Sequence, residues 1–238
     1  MSRSGDLSDA PAPFVQHLRE LRRRVGIALA AVVVGAVITF VWCDNLIALL
    51  RAPLDDTPLY FVGVGDAFGI RMQLSLIGGV ALAMPIWLWQ AWAFVRPGLT
   101  ESERRAARPW IPLALILFVI GVAVAWIVLP FAVSFLLSFA TDDLTPLIAA
   151  DRYFGFVGSL MLVFGLATEY PILLVFLSRV GVVTSAKLRR WRRNALVLAV
   201  VVGAFATPGT DLISPIVLSV VLYLLYELTI WLVRAGGR

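Results

Sequence analysis

Long apolar segments separated by short arginine-rich stretches are the feature that most restricts how this chain folds. Hydrophobic residues make up 61% of the 238 residues and charged residues 15%, against about 45–50% and 25% in soluble domains. Several segments approach the roughly 20 apolar residues that a helix needs to cross a bilayer. The pattern predicts an all-α polytopic membrane protein in which residues 1–238 form a single integral-membrane domain.

Six segments have the composition of membrane-spanning helices. They lie at about 25–43, 71–95, 110–139, 153–179, 194–206 and 212–233. The third is too long for one straight crossing, and we expect Pro130 to divide it into a span and an outer extension, because proline lacks the N–H that a helix interior needs. The first is interpreted as a retained span, since its apolar run is longer than that of a cleavable signal peptide.

The last two spans are short. Asn194–Ala206 has 13 residues, which is about 20 Å of helix against a hydrocarbon core of roughly 30 Å. Glu227 interrupts the sixth span after Tyr226. The tight connection at 207–211 predicts a helical hairpin in which Asp211 caps the last helix. Two interpretations stay open: the other four helices shield this pair, or the pair thins the bilayer locally.

Basic residues are distributed unevenly between the connecting segments. Seventeen of the twenty Lys and Arg fall in the N-terminus, the second-to-third connection, the fourth-to-fifth connection and the C-terminus. The other side carries Arg51, Arg71 and Arg152 beside seven Asp. The positive-inside rule therefore predicts that both termini face the cytoplasm. This placement also argues against nucleic acid as the partner of a chain whose net charge is +5.

The sequence lacks the residue sets that several enzyme classes require. One cysteine, Cys43, and one histidine, His17, cannot make a disulfide or a Cys/His metal site. His17 precedes the first span, and every Asp lies in a loop or at a span end. These positions, with no HExxH motif and no P-loop, exclude the usual intramembrane proteases and ATP-driven pumps. We therefore expect no catalytic activity, no metal and no cofactor.

Glu169 is the acidic residue placed deepest in a predicted span. It stands two residues before Pro171, where the helix loses an N–H donor and is expected to kink. An ionised carboxylate near the bilayer centre costs about 2.5–3.5 kcal/mol on insertion scales, so such residues usually face a cavity, a partner or an ion path. The alternatives are a hydrogen bond within the kinked helix, or a proton or ion relay in a secondary transporter.

Residues 14–25 predict an amphipathic helix lying on the cytoplasmic membrane surface. Their apolar side chains recur at helical spacing, and the remainder are mostly Arg. Within this helix Glu20 and Arg24 are separated by four residues, close enough to form an ion pair. Taken alone, the segment is a basic anchor on anionic lipid.

The connection after the second span holds a second acid among arginines. Pro97 and the following glycine end the preceding helix, and Thr100 begins the next one. Thr100 and Glu103 have the spacing of a capping box, in which the glutamate accepts the backbone N–H of the capping residue. The residues alone leave open whether Glu103 only caps this helix or also binds a ligand.

Several short motifs occur in a fixed order from about residue 14 to 233. They are HLRELRRR at 17–24, Pro53, Gln90-x-Trp92-x-Phe94, PGLTESERR at 97–105, FG-x-x-x-E-x-P at 164–171 and TPGTD at 207–211. Together they resemble the TatC family, the polytopic core subunit of the twin-arginine protein translocase. Thr168 and Pro215 depart from the family pattern, which usually has Phe and Gln there.

The resemblance implies a receptor for signal peptides with a paired-arginine motif. Such a receptor works in a translocase that exports folded proteins across the cytoplasmic membrane of a prokaryote. Implied partners are TatA- and TatB-type single-span subunits and further copies of the chain, with the proton-motive force as energy source and no bound nucleotide. The bundle is expected to be concave and cup-like, with the apolar part of the signal along its concave face.

Glu20 and Glu103 are the ligands that the resemblance implies for the two signal arginines. Carboxylates suit this role because guanidinium offers a planar fork for bidentate hydrogen bonds, whereas ammonium is a point charge. The surrounding arginines would repel a peptide that is merely cationic. Other positions implied to matter for binding, transport or assembly are His17, Leu21, Arg22, Pro53, Phe94, Pro97, Arg104, Arg105, Glu169 and Asp211.

Overall fold

The computed structural model describes residues 13–54, 57–98, 100–101, 104, 110–141, 145–179, 181, 183–207 and 211–235. Across these residues the chain is almost entirely helical, which confirms the all-α class. The helices are α1 (Pro13–Val41), α2 (Cys43–Arg51), α3 (Asp66–Leu82), α4 (Met84–Val95), α5 (Trp110–Leu137), α6 (Ala150–Ala167), α7 (Tyr170–Arg179), α8 (Ser185–Arg190), α9 (Arg192–Ala206) and α10 (Ile213–Ala235).

Two very short strands accompany the helices. Strand β1 (Leu59–Tyr60) pairs in parallel with β2 (Ile148–Ala149), so that the connection after α2 is joined to the segment before α6. The sequence predicted no strand here, because two residues are too few to show the alternation that marks a strand.

Four helical segments in the described part of the chain are long and apolar enough to cross a membrane. They are Val15–Val41, Trp110–Leu137, Ala150–Arg179 and Ile213–Arg234, and the bent pair α3–α4 makes a fifth. Helix α9 has 15 residues, about 22 Å, which is short of a bilayer core of roughly 30 Å. Its bounds agree with the predicted short fifth span, and six crossings stay a prediction.

Helix α1 continues without a break from its arginine-rich start to its apolar end. The prediction of a separate helix lying on the surface over 14–25 is therefore wrong. The junction holds one weak helix former, Gly26, and a single glycine costs only about 1 kcal/mol relative to alanine. That cost is too small to interrupt a helix of 29 residues. The charged turns extend the first span directly.

The second predicted span is two helices rather than one. Helices α3 and α4 meet at Ala83 with a bend of 49°, so the expectation of a single helix over 71–95 is wrong. Pro85 lies in the first turn of α4, where its missing N–H is tolerated. In the interior of a helix that continues from α3, the same ring would remove one backbone hydrogen bond and clash with the preceding turn. The first half also begins earlier than predicted, at Asp66.

Pro130 lies inside α5 without dividing it. The expected separation into a span and an outer extension is therefore wrong. The helix has 28 residues, about 42 Å, so it still exceeds the thickness of a bilayer core. Strong apolar packing around this turn explains the tolerance, since Val128, Leu129 and Ala132 are all buried.

Close backbone contacts and one large buried cluster hold the bundle together. A Cβ atom on Gly79 of α3 would lie 2.7 Å from the carbonyl oxygen of Val32 and 2.6 Å from the nitrogen of Ala36. Glycine therefore allows α1 and α3 to pack backbone against backbone. The main cluster of buried side chains joins α2, α3, α5, α6, α9 and α10, and α10 also packs against α7 and α8.

Candidate functional site

The arginine-rich start of α1 packs against the C-terminal part of α4. The imidazole of His17 stacks on the ring of Phe94, with the ring centroids 4.3 Å apart and 22° between their planes. Two residues that the sequence singled out separately are therefore in direct contact. The stack fixes the position of α1 relative to the connection that follows α4.

Glu20 lies about one turn further along α1 and forms the predicted ion pair with Arg24. Its Oε1 accepts from Arg24 Nη2 at 2.6 Å and from Nε at 3.0 Å. Arg24 Nη1 also donates to Gln90 Oε1 of α4 at 3.3 Å. Both bonds from Arg24 end on the same carboxylate oxygen, and Glu20 Oε2 accepts none from the described residues. The Glu20 side chain is 34% exposed.

A polar recess of about 450 Å³ opens beside this ion pair. Its walls are Arg19, Glu20, Arg23, Arg24, Ile27 and Gln90. Among these described lining residues one, Glu20, is acidic, and the three arginines carry guanidinium groups. A cation that enters the recess therefore meets one carboxylate surrounded by positive charge.

Gln90 is a site residue that the sequence analysis did not assign. In the sequence it belongs to a motif with Trp92 and Phe94. The two residues are separated by four positions and so share one face of α4. Since Phe94 contacts His17 and Gln90 contacts Arg24, that spacing was the available signal that both face α1.

The connection between α4 and α5 starts at this same end of the bundle. Pro97 lies in a 3-10 turn, Arg96–Gly98. Arg104 Nη2 donates to the carbonyl of Arg96 at 3.4 Å, and its Nη1 forms an ion pair with Glu101 at 2.8 Å. The N–H of Arg104 donates to the carbonyl of Thr100 at 2.9 Å, a helical bond that agrees with a helix start at Thr100.

Glu103 and Arg105 lie outside the described residues. The spacing between the two predicted arginine ligands, Glu20 and Glu103, therefore stays a prediction. Arg104, their neighbour in the chain, is tied to the end of α4 through Arg96. Leu21 and Arg22 are exposed on α1.

Glu169 lies in the break between α6 and α7, two residues before Pro171. The hydroxyl of Thr168 donates to the carbonyl of Leu117 in α5 at 2.8 Å. Threonine at this position thus ties the break to a neighbouring helix. Glu169 Oε1 is buried and has no hydrogen-bond partner among the described residues.

Asp211 caps α10 as predicted, because the N–H of Ser214 donates to its Oδ1 at 2.6 Å. Asp211 is only 3% exposed, and its Oδ2 and the Ser214 hydroxyl are buried without partners among the described residues. Pro53 lies in a 3-10 turn after α2, Ala52–Leu54. Neither residue, nor Glu169, lines the recess beside Glu20.

An apolar helical bundle with a charged recess at one end defines a multi-pass membrane protein rather than a soluble domain. Residues 16–220 match the model of the family described as TatC, Sec-independent protein translocase protein. The chain belongs to this TatC family, as the sequence motifs indicated.

Individual relatives agree with the family match. The chain is 36% identical to a Sec-independent protein translocase protein TatC of Frankia casuarinae, over 96% of this chain and 67% of that protein. It is 33% identical to the protein of the same name from Carboxydothermus hydrogenoformans, over 96% of this chain and 95% of that protein. The crystal structure of a twin arginine translocase receptor TatC superposes with a TM-score of 0.80 at 35% identity, covering 93% of this chain and 100% of that one.

Proposed function

We propose that this chain is the signal-peptide receptor and core subunit of a twin-arginine translocase that exports folded proteins across the cytoplasmic membrane. The observation that supports the proposal is that only one of the two oxygens of the Glu20 carboxylate has a hydrogen-bond partner among the described residues. Arg24 occupies Oε1, which leaves Oε2 to accept an incoming guanidinium. A charge-assisted hydrogen bond of this kind is stronger than a neutral one.

The arginines around Glu20 provide selectivity in this proposal. A peptide with scattered positive charge is repelled by Arg19, Arg23 and Arg24, which line the recess with Glu20. A peptide whose guanidinium reaches the carboxylate gains a directed hydrogen bond that offsets the repulsion. Lysine gains less, because its ammonium is more strongly hydrated and lacks the planar fork.

Glu103 is the proposed ligand of the second signal arginine. Its neighbour Arg104 is bonded to Arg96, and Arg96 follows the helix turn in which Phe94 stacks on His17. The connection that carries Glu103 thus starts next to the α1 turns that carry Glu20. This arrangement supports two acids that serve one peptide.

The wider assignment follows family membership. We propose six crossings with both termini in the cytoplasm, TatA- and TatB-type single-span partners, further copies of the chain in the complex, and the proton-motive force as energy source. Glu169 and Asp211 are assigned to transport or assembly, because both place a carboxylate inside the bundle. The family match favours this function over a secondary transporter that uses Glu169 as a relay.

Site-specific photocrosslinking to a twin-arginine precursor tests the receptor proposal. Glu103→Ala should abolish crosslinking while membrane assembly stays normal. Glu20→Arg should weaken crosslinking more than Glu20→Ala, because reversal adds a repelling charge. Glu101→Ala is the matched control, since Glu101 is an exposed acid of the same connection that is paired with Arg104.

Two results would overturn the assignment. Intact crosslinking with lowered thermal stability in Glu103→Ala would mean that Glu103 only caps its helix. Equal effects of Ala and Arg at position 20 would mean that Glu20 only stabilises α1 through Arg24.

A further inference from the structure

A larger, apolar cavity of about 870 Å³ lies between α7, α8, α9 and α10. Its sides are aliphatic and aromatic, with Leu174 of α7, Val197 and Val201 of α9, and Leu222 of α10 among them. One end is basic, formed by Lys187 of α8 and Arg193 of α9. The described lining residues include no acid. The cavity therefore combines a long apolar wall with a cationic end.

Direct bonds hold the walls of this cavity in place. The hydroxyl of Tyr226 in α10 donates to the carbonyl of Leu188 in α8 at 2.8 Å. Arg192 at the start of α9 pairs with Glu227 of α10 at 2.6 Å. These bonds fix α8 and α9 against α10, so the basic end and the apolar wall keep their relation to each other.

The two cationic side chains at the cavity end are unmatched. Neither Lys187 nor Arg193 has an acidic partner among the described residues, whereas Arg192 between them in sequence is paired. Helix α9 also begins there without a side-chain cap, and the N-terminus of a helix favours negative charge. Trp191, 54% exposed, stands at the same turn, as tryptophan commonly does at a membrane–water interface. These features together favour an anionic headgroup.

The basic end of the cavity distinguishes between apolar occupants. A purely apolar helix would leave Lys187 and Arg193 without a counter-charge, whereas an anionic phospholipid supplies its phosphate there. A volume of 870 Å³ lies within the range of about 300–1,000 Å³ for small-molecule sites. We infer that the cavity binds one anionic phospholipid, its acyl chains along α7, α9 and α10 and its phosphate between Lys187 and Arg193. This inference does not depend on the proposed receptor function.

Native mass spectrometry of the purified full-length chain tests the headgroup contact. The chain is mixed with equal amounts of phosphatidylglycerol and phosphatidylcholine of the same acyl composition, and retained lipid is counted. Each cationic side chain near a headgroup favours an anionic lipid roughly fivefold. We expect the chain to prefer phosphatidylglycerol, and Lys187→Gln with Arg193→Gln to reduce that preference to about equal retention of both lipids. Arg189→Gln with Arg190→Gln is the control, since it removes the same charge from exposed positions outside the cavity.

A second pair of variants tests the acyl contact. Val197→Trp should fill the cavity and lower retention of both lipids severalfold. Val200→Trp is the matched control, because Val200 is similarly exposed on α9 and does not line the cavity. Both positions are exposed, so neither substitution disturbs the core.

Three results would overturn the inference. Wild-type chain could retain the two lipids equally, the two tryptophan variants could behave alike, or the control charge variant could lose as much preference as the cavity variant. Displacement of bound lipid by a single-span apolar model helix, blocked by Val197→Trp and not by Val200→Trp, would instead assign the cavity to a helical partner.

Discussion

At the scale of single residues, two carboxylates of the molecule divide their oxygens between different roles. Glu20 gives Oε1 to Arg24, and Asp211 gives Oδ1 to the N–H of Ser214. In both cases one oxygen has a local structural role while the other has no partner among the described residues. Substitutions at these residues therefore affect helix stability and ligand contact separately.

Arg24→Gln should strengthen binding of a twin-arginine peptide. Removing the intramolecular partner leaves the whole Glu20 carboxylate available, and a partly exposed ion pair is worth up to about 1 kcal/mol. We expect the dissociation constant of the wild-type peptide to fall up to about fivefold in a fluorescence titration. Arg23→Gln is the control that removes a repelling charge without removing the ion pair, and a larger gain there would contradict a competing role for Arg24.

Asp211→Ala should lower the stability of the α9–α10 hairpin. Loss of a helix cap costs about 0.5–2 kcal/mol, so the thermal unfolding midpoint in detergent should fall by a few degrees. Ser214→Ala is the control on the same turn, because the Ser214 hydroxyl has no partner among the described residues and its removal breaks no hydrogen bond. A midpoint shift of equal size in both variants would contradict the capping role.

At the scale of helices, the contact between α1 and α3 relies on the absence of a side chain at Gly79. Gly79→Ala places a methyl group within 2.7 Å of the backbone of α1, and overpacking of this kind costs about 1–3 kcal/mol. We expect a lower unfolding midpoint and weaker membrane assembly. Gly69→Ala in the same helix meets nothing within 4 Å, and alanine favours the helix by up to about 1 kcal/mol. An equal loss in both variants would show that the glycines act only through backbone flexibility.

The helical class and most helix boundaries could be predicted from the sequence. Whether a helix continues through a proline could not. Turn residues at 207–211 and the basic run before Asn194 delimit α9 clearly, because proline, glycine and charge all oppose an apolar helix there. Continuity depends on tertiary contacts instead. Pro130 is tolerated among buried neighbours of α5, while Pro85 coincides with a 49° bend.

The site was predictable in its residues and only partly in its geometry. The spacing of Glu20 and Arg24 fixed their pairing, because helix geometry alone brings them together. The stack of His17 on Phe94 joins residues far apart in sequence, and no local pattern reports such a contact. The recess beside Glu20 is likewise visible only once Gln90 of α4 is placed beside α1.

At the scale of the whole molecule, α9 has less apolar height than the other long helices of the bundle. The pair between Arg192 and Glu227 marks its polar end, and Asp211 marks the other. Between them lie about 15 residues of each helix, roughly 22 Å, against 28 residues in α5. This geometry supports a locally thinned bilayer, because α9 is shorter than a bilayer core and the partly exposed pair of Arg192 and Glu227 favours polar surroundings at one of its ends.

Spin labels measure that thinning directly. A label at Phe205, near the end of α9 and 87% exposed, should be reached by an aqueous nickel reagent in reconstituted membranes. A label at Ile127 of α5, 62% exposed, should be reached by oxygen and not by nickel, because α5 has the length of a full crossing. Protection of both labels from nickel would contradict local thinning.

Helix α1 runs without a break, so we expect a movement at one of its ends to be transmitted to the other. Its 29 residues form a rod of about 43 Å, and the close backbone contact with α3 at Gly79 falls beyond its midpoint, at Val32 and Ala36. Because no break separates the charged turns from the apolar turns, we expect a tilt imposed near Glu20 to rotate the whole helix about its contact with Gly79. The C-terminal end of α1 at Val41 would then move in the opposite direction, together with α2 and the turn at Pro53.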